Sequence, residues 1–128
     1  MAKENTKTLG DLEAEIMEIV WANGRASVRS VLLELEKRRK IAYTTVMTVM
    51  TRLNDKGVLK RKMDKSGAFI YVAVKDKKAF LANASERIIK SFLKEYGDVA
   101  VAQFVDVIEA YDTKQSAEWK NKLKGLLK

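Results

Sequence analysis

The chain has 128 residues, 47% apolar and 33% charged, with a formal net charge of +8, enough for one compact core or a small domain with an appendage but not for two large domains. Cysteine and histidine are both absent, which excludes disulfides, thiol chemistry and Cys/His metal sites. No apolar run approaches the roughly 18 residues that span a bilayer.

Met1 to Lys7 is polar and expected to be poorly ordered. Met1 to Thr8 lacks the apolar core and cleavage site of a signal peptide, so a soluble, cytoplasmic protein is expected. Leu9 to Asn23 reads as a first helix. Leu9, Leu12, Ile16, Ile19 and Val20 form its stripe, acidic residues crowd its N-terminal end, and Asn23-Gly24 stops it. Trp21 ends the stripe and is expected to anchor the core against a later hairpin.

Arg25 and Ala26 form a short connector, long enough for a small strand. Ser27 suits the N-cap of a second helix carrying Val28, Val31, Leu32 and Leu35 at i, i+3, i+4 and i+7. Ser27 and Arg29 are candidate phosphate contacts, with plain capping and solvent exposure as the competing readings. The basic run Lys37 to Lys40 complements the negative end of that helix.

The stretch Ile41 to Gly57, IAYTTVMTVMTRLNDKG, organises the rest. Val46, Val49, Met50 and Leu53 repeat the helical spacing and make a buried stripe. Thr44, Thr48, Thr51 and Arg52 fall on the other side. Threonine can exchange a hydrogen bond or touch a thymine methyl, and arginine can bond O6 and N7 of guanine together. A solvated, Thr-rich face is the alternative reading. Gly57 is placed to cap the helix in the left-handed conformation.

Two alternating runs follow, Val58 to Met63 and Ala68 to Val74, around an Asp64-Lys65-Ser66-Gly67 turn. Leu59, Arg61 and Met63 alternate with Val58, Lys60 and Lys62, and Phe69, Tyr71 and Ala73 with Ile70, Val72 and Val74. Register, and hence the outward face, stays open. Lys65 at the tip is exposed in either register. Between Lys37 and Lys65 stand ten basic residues and two acidic ones, an excess that equals the whole net charge. A basic zone on a helix and hairpin is the footprint of a polyanion partner, with a merely solvated basic surface as the alternative.

Helix, glycine stop and basic hairpin, with LGDLEAEIMEIVW before them and LKRKMDKSGAFIYVAV after, resemble the penicillinase and methicillin-resistance repressors, the BlaI/MecI/CopY family of winged-helix regulators. The resemblance is specific over the first three quarters of the chain and loose in the last. It implies a homodimeric repressor seated on a palindromic operator in double-stranded DNA. Thr44, Thr45, Thr48 and Arg52 would then meet base edges, and Tyr43, Arg29 and Lys65 the backbone. Met47 stands where some relatives carry Arg, so the preferred operator is expected to differ. The paired cysteines of the copper-responsive branch are missing here. In the antibiotic-sensing branch an inducing protease cuts an Asn-Phe bond; the equivalent here is Gln103-Phe104, and Phe104 also reads as plain interface packing.

Beyond Asp76 the character changes. Lys77 to Tyr96 predicts a long helix with Leu81, Ala84, Ile88 and Phe92 in one line, flanked by Ile89 and Leu93. Val99 to Tyr111 is apolar nearly all round, which calls for a cover from a second subunit. Ala117 to Leu127 predicts a last helix, capped by Ser116 and offering Trp119, Leu123, Leu126 and Leu127. Ile88, Phe92, Val101, Phe104, Val105, Ile108, Trp119 and Leu123 are the expected dimer contacts. The expected fold is mostly α with a small β-hairpin wing: a winged helix-turn-helix domain over 1–75 and a helical dimerisation domain over 76–128. No catalytic constellation is recognisable, so neither an enzyme nor a cofactor is expected. A non-specific nucleoid-type protein and a winged-helix protein-interaction module are the competing functions.

Overall fold

The computed structural model describes residues 9–110, 117–119 and 121–122. Short polar residues and glycines set the element ends. α1 (Asp11–Asn23) starts at Gly10, whose N–H donates to Glu13 Oε1 at 2.9 Å. It ends at Gly24, with φ at 80°. α2 (Val28–Glu36) opens on a reciprocal cap: the Ser30 N–H donates to Ser27 Oγ and the Ser27 N–H to Ser30 Oγ, satisfying two of the N–H groups that a helix start leaves unpaired. α3 (Tyr43–Asp55) closes through Gly57, with φ at 81°. There the Val58 N–H donates to Leu53 O and the Gly57 N–H to Asn54 O, the bond pair of a left-handed helix end.

β1 (Leu59–Met63) and β2 (Phe69–Ala73) pair antiparallel, with Leu59 opposite Ala73, Arg61 opposite Tyr71 and Met63 opposite Phe69. Asp64 holds the turn: its carboxylate accepts the N–H groups of Ser66 and Ala68 and the Ser66 hydroxyl. The connector after α1 supplies a single residue of a third strand, since Ala26 and Tyr71 exchange both backbone hydrogen bonds, at 2.9 and 2.8 Å.

The core lies where these elements meet. Ile16, Met17 and Val20 of α1, Val31 and Leu35 of α2, Val46, Met50 and Leu53 of α3, Leu59 and Tyr71 are all buried almost completely. Burial of each apolar side chain stabilises by about 1.5–3 kcal/mol relative to exposure, and the sum fixes α3 against α1, α2 and β1. Trp21 packs against this core, as expected, and reaches past the hairpin as well. Its ring packs 5.5 Å from Phe80, and its indole N–H donates to the Lys75 carbonyl. An indole with a polar edge needs an acceptor, and it finds one where the chain leaves β2.

α4 (Lys77–Tyr96) starts on Asp76, whose carboxylate accepts the Ala79 N–H. α5 (Asp98–Ala110) follows after Gly97. The chain divides into two compact units, Met1–Ala84 and Ser85–Lys128, so the boundary falls inside α4 and nine residues past the change at 75. The first turns of α4 belong with the first unit through Phe80 and the Lys77–Glu18 ion pair. In the second unit α5 buries none of its residues. Residues 117–119 and 121–122 are helical. Leu123, Leu126, Leu127, Ser116, Tyr111 and the N-terminal segment lie outside the described residues.

Candidate nucleic-acid interface

α3 turns by about 100° per residue, and its buried residues Val46, Val49, Met50 and Leu53 cover one side of that circle. Thr44, Thr48 and Asp55 lie at the centre of the opposite side, with the half-buried Thr51 among them. Thr45 and Arg52 form one flank, Tyr43 and Met47 the other. All of Tyr43, Thr44, Thr45, Met47, Thr48 and Arg52 are exposed, as the sequence pattern requires. The Thr48 hydroxyl has a partner of its own: it donates to the Thr44 carbonyl at 2.8 Å.

Helix α1 steadies the far end of this face. Glu13 bonds Lys56 Nζ at 2.9 Å. Partial burial alone raises the Glu13 pKa, but the Lys56 hydrogen bond, the Gly10 N–H and the charges of Lys56 and Arg52 together hold it below its ordinary value. The same carboxylate therefore caps α1, fixes Lys56 and draws on Arg52.

The basic zone separates into two kinds of residue. Lys37 pairs with Glu34, Arg39 with Glu15 and Lys56 with Glu13. Arg61, expected among the cations that reach for phosphate, turns onto the packed face of the hairpin, where its guanidinium sits 4.2 Å from the centre of the Phe69 ring and donates to the Tyr71 hydroxyl. Arg38, Lys40, Arg52, Lys60, Lys62 and Lys65 are exposed and carry no ion pair among the described residues. Lys60 and Lys62 stand on the outward hairpin face with Ile70 and Val72, and Arg25 borders the same concavity. The sequence alone does not single out Lys60 and Lys62, because that choice depends on register. Burial of Leu59 in place of Lys60 is the signal that decides it.

Lys65 occupies the hairpin tip and Arg29 the first turn of α2, both exposed. Of the expected dimer residues, Ile88, Val105 and Ile108 are half-buried, while Phe92, Val101, Phe104 and Trp119 are exposed. Ile89, Phe92, Leu93, Ala100, Val101 and Phe104 line an apolar groove of about 190 Å³. Gln103 and Phe104 are exposed in mid-α5, so cutting their bond requires the helix to unwind locally. Among the described residues no cluster of carboxylates could hold a metal ion, and no helix is long and apolar enough to cross a membrane.

Comparison with known proteins agrees with this geometry. The chain is 28% identical over 101 residues to the methicillin resistance regulatory protein MecI of Mammaliicoccus sciuri, a match that covers 79% of this chain and 81% of that protein. It is 46% identical over 52 residues to the transcriptional regulator BlaI of Mycobacterium tuberculosis, covering 40% of this chain and 38% of that one. Among solved structures, the complex structure of hsRosR-S4 overlays with a TM-score of 0.52 at 15% identity, over 82% of this chain and 90% of that one, which concerns the fold alone. The model of the penicillinase repressor family matches residues 9–125, and the chain, a winged helix, belongs to that family of transcriptional repressors.

Proposed function

We propose that the chain is a homodimeric, sequence-specific DNA-binding repressor of transcription. One α3 helix enters the major groove at each half of a palindromic operator. The observation that carries this reading is the exposed face of α3, rich in threonine, flanked by Arg52 and bordered by unpaired cations on a chain of a repressor family. Thr44, Thr45, Thr48 and Arg52 meet base edges. Tyr43, Arg29 and Lys65 position the backbone, joined by the outward hairpin lysines, Lys60 and Lys62. Residues 1–75 bind DNA and residues 76–128 dimerise. The apolar side chains that the second unit leaves exposed, Val99 at 74% among them, support the dimer, because an uncovered apolar helix calls for a partner.

Selection of bound fragments from random duplex DNA tests this. A palindrome should be enriched, with half-sites about one helical turn apart and two chains bound per duplex. Recovery of unrelated sequences would favour a non-specific binder and contradict the proposal.

A further inference from the structure

Two observations on α3 bear on what kind of sequence it reads. First, the Thr48 hydroxyl already donates to Thr44 O at 2.8 Å, so toward a ligand it offers a methyl group and an acceptor lone pair, but no donor. Second, Met47 is 41% exposed, one turn beyond the phenol of Tyr43 and beside Thr44, Thr48 and Thr51. Methionine has neither a strong donor nor a strong acceptor. An exposed thioether on a face ringed by cations has one apolar feature to meet in a major groove, the C5-methyl group of thymine.

We propose that Met47 is a specificity-determining residue that reads a thymine methyl, with the Thr48 methyl contributing beside it. The helix face then divides its work. The Arg52 flank recognises guanine through hydrogen bonds, and the Met47 flank recognises thymine through an apolar contact. Met47 is flexible and polarizable, so it can follow a methyl group without a fixed geometry. Replacement of thymine by cytosine at that position would set a bare ring edge with an amino donor against a side chain that cannot accept from it well.

This inference rests on the proposed DNA-reading role of α3, and its test separates the two. In the duplex that the native protein selects, each thymine is replaced in turn by deoxyuridine, which removes only the methyl group and keeps the base pair. Native protein should lose affinity roughly four-fold at one thymine per half-site, the scale of one buried methyl. Met47→Ala should lose most of the difference between the thymine and uracil duplexes there, and Met47→Leu should restore it. Because Met47 lies outside the core, the variants should unfold at the same temperature as the native chain. Indifference of the native protein to every uracil, or the same loss in Met47→Ala, would overturn the assignment while leaving sequence-specific binding intact. A native protein that enriches no sequence at all would instead overturn the reading on which the assignment depends, and the assignment with it.

Discussion

Glu13 shows how one side chain can link the scaffold to α3, the proposed reading helix. It accepts the Gly10 N–H at the start of α1 and binds Lys56 at the end of α3. Its pKa is lower in the folded chain than its ordinary value, so its stabilisation is present at neutral pH and is lost as pH falls through the folded value. Lys56 is half exposed and solvent screens the pair, which limits the effect to less than about 1 kcal/mol. Glu13→Gln should therefore lower the unfolding temperature slightly at pH 7 and leave it unchanged well below the carboxylate range; an equal loss at both pH values would contradict the ionic account. At this scale the sequence was partly legible. Threonine spacing put Thr44 and Thr48 outside, but the bond from Thr48 to Thr44 and the capture of Arg61 by Phe69 depend on rotamers that no periodicity encodes.

Elements were easier to read than side-chain contacts because their signals are local. The repeat in Val46, Val49, Met50 and Leu53 gave α3, and the limits expected for α4, Lys77 and Tyr96, are those observed. Hairpin register was not legible, since both faces mix cations with apolar residues. It is set by tertiary contacts, through burial of Leu59 and Tyr71 and the pairing of Tyr71 with Ala26. Trp21 was legible as a core anchor, but its ring contact with Phe80, 59 positions away in sequence, is one that no local rule reveals. The glycine stop after α3 is testable by itself. Gly57 has φ at 81° and nothing within 4 Å of an added Cβ, so Gly57→Ala meets conformational strain and no clash. It should cost about 1–2 kcal/mol, read as a lower denaturation midpoint with an unchanged denaturant slope. No loss would mean that the left-handed turn does not define the helix end.

For the whole molecule, the proposed division is between a packed DNA-reading unit and an apolar unit that requires a second copy. Legibility ran the same way: the apolar run of α5 foretold a helix with no internal cover, while nothing in one chain's sequence gives the geometry of two. Phe104→Asp should shift the chain from dimer to monomer in sedimentation at micromolar concentration, with the α1–α3 core unchanged by hydrogen exchange. A dimer of undiminished stability would place the interface elsewhere. Loss of the dimer should also weaken operator binding far more than binding to a single half-site, since the two reading helices would no longer act together.

The central claim is that α3 reads base sequence, and the ratio of affinities for the selected duplex and a scrambled one of equal length and composition tests it most directly. The ratio should be measured at one fixed salt concentration for the native chain, Arg52→Ala and Thr48→Ala. Arg52→Ala should reduce the ratio by the equivalent of about 1–3 kcal/mol per half-site, and Thr48→Ala should reduce it by less, because the Thr48 donor is already engaged with Thr44. If Arg52→Ala weakened both duplexes equally and left the ratio intact, Arg52 would contribute charge alone, and the account of α3 as the reading helix would be contradicted.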